Sequence, residues 1–432
     1  MKYFLLSIIS ITYTFASTLQ ESEFFNYDVF FTNPVCETYK YDEPVYSIRG
    51  KLIDAKPKNV YCKRGDFSEN ADRETSPHYQ LIKLINDKNI DEMFLTFLSF
   101  SNSDVANNLC NAIKERNLKV TFIIDSKNLE RDGANRYLEM ISECKSEDLP
   151  VGVSANIPKT FYRGNTRGLG YAHNKIILAK YKDSKKVSIV FGSANMSSGT
   201  ILHHENWHFV TTSEETYFYQ AHECLKEGML QAESKSEYKK FINKCRSEIE
   251  YPKETDIDFF IVPSDGKLAT RKIINGIKTA KTVDIAVHRF THTDIIKTLV
   301  KEAKDKKIRL VADDDIYWTG VRDEQTGSNM FFEYNNIIKV VKAGVEVKYM
   351  ETNQNSFLLH HNKYMIFNFE DGSSAVHAGA GNFTKAAFSK NFENFYYIKI
   401  PSVVKKFKEQ YEYVYKALAT AYIDMPVQYV MP

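Results

Sequence analysis

Two stretches of this chain carry the same reactive side chains in the same order. The first reads His173-Asn174-Lys175-Ile176-Ile177-Leu178, then Gly192-Ser193-Ala194-Asn195, then Glu205-Asn206. The second reads His361-Asn362-Lys363-Tyr364-Met365-Ile366, then Gly379-Ala380-Gly381-Asn382, then Glu393-Asn394. His to Lys is 2 residues in both, His to the turn Asn is 22 and 21, and His to Glu is 32 in both. The two His stand 188 residues apart. With 11 His in the chain, one His-x-Lys would mean nothing. Recurrence of the whole set is what singles these residues out.

Their types suit one chemistry. The apolar run after His-x-Lys reads as a strand, and alternation there puts His and Lys on one face. The Asn follows a Gly-rich turn, where backbone can approach a ligand closely. Lys and Asn donate hydrogen bonds to the non-bridging oxygens of a phosphate. The candidate phosphate ligands are therefore Lys175, Ser193, Asn195, Lys363 and Asn382. An imidazole can attack phosphorus or pass a proton near neutral pH. A carboxylate bonded to its Nδ1–H would fix the tautomer and stabilise the imidazolium. Glu205 and Glu393 recur at the right offset to do so. The candidate catalytic set is His173, Lys175, Asn195, Glu205, His361, Lys363, Asn382 and Glu393. One His attacks while the other protonates the leaving oxygen, and the scheme needs no metal and no other cofactor.

One competing motif is present. His204-Glu205-Asn206-Trp207-His208 spells H-E-x-x-H, the zinc-protease pattern, which needs a helix to bring both His to one face. The continuation Phe209-Val210-Thr211-Thr212 reads as a strand instead. The second copy keeps Glu393 but has Phe392 and Tyr396 in place of the two His. The Glu is the repeated feature, and a zinc site is not expected.

The elements that must position these residues also repeat. Residues 92–98 (EMFLTFL) read as a strand, Asp104 to Arg116 as a helix and 119–125 (KVTFIID) as a second strand. Residues 282–287 (TVDIAV), Ile295 to Asp305 and 307–313 (KIRLVAD) repeat that βαβ pattern. The expected domains are 76–250 and 251–432, joined by the charged stretch 246–258, with 18–75 as an unassigned N-terminal extension. Residues 403–419 read as an amphipathic helix facing the core. A chain of 432 residues, 43% hydrophobic and 26% charged, is an ordinary globular protein of two or three domains. That excludes collagen-like, disordered and multi-pass membrane chains. A net charge of +2 gives no bulk pull toward a polyanion.

Met1-Lys2, an apolar run from Tyr3 to Ile11 and Thr14-Phe15-Ala16-Ser17 read as a signal peptide over residues 1–17. The expected location is secreted or periplasmic. Six Cys then permit three disulfides among fifteen connectivities. Pairing sequence neighbours gives Cys36–Cys62, Cys110–Cys144 and Cys224–Cys245. Both motif Asn lie in N-x-S/T sequons, which leans toward a bacterial chain.

At these motifs the sequence resembles the phospholipase D superfamily, whose signature is His-x-Lys, a Gly/Ser-x-Asn turn and a downstream acid, twice per site. Residues 382–394 are similar to its bacterial endonuclease and cardiolipin hydrolase branch. The resemblance implies two similar α/β/α sandwich domains, each a mixed sheet flanked by helices, with one shared active site at their interface. It also implies metal-independent phosphodiester cleavage through a phosphohistidine, with His173 as nucleophile and His361 as general acid and base, the reverse remaining open. Three positions depart from the pattern: Lys180 and Asn368 stand where the family places Asp, and Ala380 where it often has Ser. The expected activity is hydrolysis of phospholipid head-group phosphodiesters. The alternatives are a secreted nuclease acting on DNA or RNA and a silent phosphate-binding module. Both half-sites lie in one chain, so a monomer suffices.

Overall fold

Ile257, Phe259 and Ile261 alternate along one strand with Phe260 and Val262, and all five are buried. Burial on both sides of a strand means a sheet covered on both faces. The computed structural model, which describes residues 18–39, 45–46, 52–54, 59–62, 65–130, 136–147, 149–327, 332–352 and 358–424, contains two such sheets. The expected signal peptide lies outside the described residues.

The first sheet holds β1 (Asn26–Phe31), β2 (Ile90–Phe97), β3 (Lys119–Asp125), β4 (Lys159–Arg163), β5 (Ile176–Tyr181), β6 (Lys186–Gly192) and β7 (Asn206–Ser213), in the order β1-β7-β6-β5-β2-β3-β4. The second holds β8 (Ile257–Val262), β9 (Thr282–Val287), β10 (Lys307–Asp313), β11 (Glu346–Met350), β12 (Tyr364–Asn368), β13 (Ser374–Gly379) and β14 (Glu393–Ile398), in the matching order β8-β14-β13-β12-β9-β10-β11, with β15 (Thr420–Ala421) added outside β11. In each sheet three strands run parallel and the rest antiparallel.

β1 comes from the stretch set aside as an extension. It pairs with β7, with Asp28 opposite Phe209, just as β8 pairs with β14, with Asp258 opposite Tyr397. Lobe one therefore begins near residue 26 and not at 76.

Helices α1 (Pro77–Ile85) and α2 (Ser103–Arg116) cover the outer face of the first sheet. The Asn102 side chain caps α2 by accepting from the N–H of Asp104 and Val105, and Asn117 ends it in the left-handed region at φ 57°. Helices α3 (Tyr217–Gln231) and α4 (Lys235–Ser247) lie inward, and the capping box of Ser234 and Glu237 starts α4. Helices α5 (Gly266–Thr279), α6 (Thr293–Glu302), α7 (Asp315–Thr326) and α8 (Phe332–Lys342) cover the outer face of the second sheet. Helix α9 (Pro401–Tyr413) returns inward, burying Val403, Val404, Phe407 and Tyr411. The inner faces of both sheets share one apolar core with α3, α4 and α9, in which the Phe191 and Tyr396 rings stack with centroids 3.8 Å apart.

The disulfides are Cys36–Cys62, Cys110–Cys144 and Cys224–Cys245, as sequence neighbourhood suggested, and the last ties α3 to α4. No helix among the described residues is long and apolar enough to cross a membrane.

Several imidazoles are packed as core rings. Burial lowers His204 and His222 to about 4 and His208 and His377 to about 3. An unfolded His titrates near ~6.5, so below that pH the unfolded chain takes up protons that the folded chain refuses. This contribution to stability is complete above ~6.5 and is lost as pH falls toward those lower values. Urea unfolding should give a lower midpoint at pH 5 than at pH 7. The drop should shrink in His377→Phe, whose ring already lies among Phe383, Phe388 and Phe395.

Candidate active site

The two His-x-Lys segments do not lie within strands. β5 starts at Ile176 and β12 at Tyr364, so His173, Lys175, His361 and Lys363 occupy the extended lead-ins just before them. Each lead-in runs beside the opposite lobe. Ala172 bridges Phe392 and His360 bridges His204, both parallel. His173 N donates to Phe392 O at 2.9 Å, and His361 N donates to His204 O at 3.0 Å.

This crossing exchanges the carboxylates. Glu393 Oε2 lies 2.8 Å from His173 Nδ1, and Glu205 Oε1 lies 2.7 Å from His361 Nδ1. Each imidazole is therefore held by the glutamate of the other lobe, leaving its Nε2 for chemistry. The neighbouring Asn residues cross in the same way: Asn206 Nδ2 donates to Asn362 Oδ1 at 2.9 Å, and Asn394 Oδ1 accepts from Lys175 N at 3.0 Å. The turn glycines make room for the glutamate strands. A Cβ on Gly192 would sit 2.1 Å from Asn206 O, and one on Gly379, 2.3 Å from Asn394 O.

The electrostatics follow from burial. Lys175 and Lys363 are each 1% exposed. Lys175 Nζ donates to His173 O at 2.9 Å and lies 3.2 Å from both of its ring nitrogens; Lys363 Nζ donates to His361 O. Burial pulls Lys175 down to about 8 against the pull of Glu393 and Glu205, and pulls Lys363 down as well. Burial also lowers His173, with Glu393 opposing and both lysines adding to it. His361 is held well below its ordinary value by burial and then by Lys363, Lys175, His203 and His173. Burial raises Glu205 despite Lys363 and His203. Both His, both Lys and both Glu thus act on one another in one inter-lobe site. It is crowded with basic groups, and an anion entering it would restore their charge.

Asn195 and Asn382 sit half-buried at their turns, and the Oδ1 of each is buried without a partner. Ser193 is engaged by protein groups. Its Oγ donates to Glu205 Oε2 at 2.5 Å and accepts from Asn206 N at 3.0 Å, so its single donor is engaged. It is a support for Glu205. Lobe two has Ala380 there, and Asn391 Nδ2 supports Glu393 Oε1 instead, at 3.0 Å.

Two supporting carboxylates escaped the sequence reading. Asp125 Oδ2 accepts from Ala172 N at 2.6 Å, and Asp313 Oδ2 accepts from His360 N at 2.6 Å. Both are fully buried and fix the residue just before each His. Burial raises both, Asp313 to about 7 with Asp314 adding to it. The signal was the shared final Asp of KVTFIID and KIRLVAD.

Lys180 and Asn368, which depart from the family pattern, lie away from the His–Glu pairs. Lys180 and Asn368 are near the far ends of β5 and β12, roughly 16 Å along an extended chain from their Lys. Lys180 lies 3.8 Å from Glu223, and Asn368 bonds Thr282 and Ser374. The H-E-x-x-H residues run into β7, a strand, and His208 Nδ1 lies 2.8 Å from Tyr27 Oη. Among the described residues the one cluster with metal-like spacing is Cys36, Cys62 and Asp66, whose cysteines are disulfide-bonded.

Two facing mixed-sheet lobes with a duplicated His, Lys, Asn and Glu set define a phospholipase D-like protein, and residues 273–415 match the family model described as cardiolipin synthase, PLD-like domain. Residues 273–415 are thus a phospholipase D-like domain. Phosphatidylserine synthase from Haemophilus influenzae has a similar structure, with TM-score 0.54 and 12% identity over 79% of this chain and 84% of its own. Polyphosphate kinase from Porphyromonas gingivalis is similar at TM-score 0.51 and 13% identity over 80% of this chain and 47% of its own, so this chain spans about half of that enzyme's length. At these identities the likeness is one of fold. No curated protein matches the chain.

The crossed pairing has a direct test. The downfield Nδ1 proton resonance of His173 should vanish in Glu393→Ala and persist in Glu205→Ala. Loss in the Glu205 variant alone would assign the pairs within lobes.

Proposed function

We propose that this protein is an exported phosphodiesterase that hydrolyses head-group phosphodiester bonds of phospholipids through a covalent phosphohistidine. The observation that carries the reading is the pair of inter-lobe His–Glu bonds, 2.8 and 2.7 Å long, in one lysine-lined site. The matched domain bears the description of a cardiolipin synthase, and the fold neighbour from Haemophilus influenzae is a phosphatidylserine synthase; both names favour a lipid phosphodiester as substrate. The three disulfides and the leader-like first residues support export to a periplasmic or extracellular space.

The mechanism follows from the tautomers. Glu393 takes Nδ1–H of His173, so Nε2 carries the free lone pair. Lys175, Lys363, Asn195 and Asn382 receive the non-bridging phosphate oxygens. His173 Nε2 bonds to phosphorus as the ester P–O bond breaks, and the leaving oxygen takes the proton of His361, whose cation Glu205 stabilises. Water then attacks, His361 takes its proton, and the P–N bond breaks.

Purified protein should hydrolyse a labelled phospholipid among phosphatidylcholine and cardiolipin in EDTA, and His173→Ala should abolish turnover. Cleavage of single-stranded DNA alone would replace the lipid by a nucleic acid. No cleavage of any of the three would leave a phosphate-binding module.

The pH profile has a defined sign. Attack requires neutral His173, whose pKa is lowered, so the acid limb of kcat/KM should lie below ~6.5. Protonation of the leaving oxygen requires His361 to carry a proton and phosphate binding requires charged Lys175, so kcat/KM should fall on the alkaline side, at the latest above about 8. A rate that climbs steadily to pH ~10 would contradict both assignments.

A further inference from the structure

The duplicated residues match so closely that they do not decide which side of the phosphorus takes the leaving group. Their surroundings differ. His288 follows β9, where the first repeat has Leu98 after β2. Its ring centroid lies 4.7 Å from that of His361, at an interplanar angle of 63°. Both of its ring nitrogens are buried, and neither has a hydrogen-bond partner among the described residues. The titratable and charged groups that act on it are His361, Lys363, Arg289 and His360; with burial they keep it neutral. Two of these cations are already engaged: Arg289 pairs with Asp315 at 2.6 Å, and Lys363 donates to His361 O. A neutral imidazole has one donor and one acceptor, and leaving both unmet in a buried place is costly. A substrate group beside His361 would satisfy them.

We propose that His288 binds the polar alcohol portion of the substrate on the leaving-group side of phosphorus, so that lobe two reads the head group while His173 carries the phosphoryl. The proposal rests on the phosphodiesterase reading above. In the first step the His173–P bond forms, the P–O bond to the alcohol breaks, and the proton of His361 passes to that oxygen. His288 exchanges no net proton. It accepts from a hydroxyl of the departing alcohol and donates to an oxygen of it. In the second step an incoming water or alcohol occupies the same place, its proton goes to His361, and the P–N bond breaks. The ligand class is a small alcohol bearing further hydroxyl groups, such as glycerol or a glycerol-bearing head group.

The experiment compares kcat/KM on phosphatidylglycerol with kcat/KM on bis-p-nitrophenyl phosphate, whose aryl leaving group has no hydroxyl for His288. His288→Leu, which installs the residue of the first repeat, should lower the ratio of the two values by about tenfold, the size of one hydrogen bond. His288→Gln, which keeps a donor and an acceptor, should recover part of it. With added glycerol as acceptor, the yield of transfer relative to hydrolysis should fall in His288→Leu. An unchanged ratio in both variants overturns the assignment while leaving the phosphodiesterase reading intact. Failure of the wild-type protein to cleave either substrate overturns that reading and the assignment with it.

Discussion

An imidazole that attacks phosphorus must present one nitrogen with its lone pair free, and a carboxylate on the other nitrogen secures that. In this chain the carboxylate always comes from the far lobe. His173 depends on Glu393 and His361 on Glu205. The rest of the architecture can be understood as the means of keeping those two bonds. The lead-ins cross so that backbone bonds pin each His beside its partner's strand. Buried Asp125 and Asp313 fix the residue before each His. The common core of both sheets with α3, α4 and α9 holds the lobes in one relation. Neither lobe pairs its own His with its own Glu.

The duplication is faithful in geometry and loose in composition. Glu205 leans on the hydroxyl of Ser193; Glu393, facing Ala380, leans on the amide of Asn391. The same second oxygen is satisfied by a different element in each lobe. A buried carboxylate beside lysines tolerates such exchange as long as its remaining lone pairs find donors. The crossing bridges differ likewise: Ala172 meets Phe392 on one side, and His360 meets His204 on the other.

Much of this was legible in the sequence. The βαβ repeats follow from patterns local to a few dozen residues, the mixed-sheet sandwich was what the family resemblance implied, and the disulfides join sequence neighbours; the structure has all three. The reactive set was legible as a set, because its spacings repeat. The exchange of glutamates between lobes was not, because an offset of 32 residues within each copy says nothing of which His the carboxylate reaches. The contact of Ser193 with Glu205 was not legible either, because a turn hydroxyl beside a motif Asn can face either a ligand or the carboxylate behind it. The first strand was hidden for another reason. Tyr27-Asp28-Val29-Phe30-Phe31 and Ile257-Asp258-Phe259-Phe260-Ile261 are alike, but the first is separated from α1 by a long insertion that carries a short helix of its own, Asp66–Ala71, whereas β8 leads within four residues into α5.

That strand ties the distant N-terminal segment to the candidate site. β1 closes the rim of the first sheet, Tyr27 Oη meets His208, and just beyond it Thr32 N donates to the carbonyl of Glu205 at 3.0 Å. A shortened gene product starting at the apparent repeat boundary would keep every reactive residue and still present β7 with a bare row of amides and carbonyls. Such an unprotected rim recruits strands from other molecules, so the truncated form would tend toward self-association before it ever met a substrate.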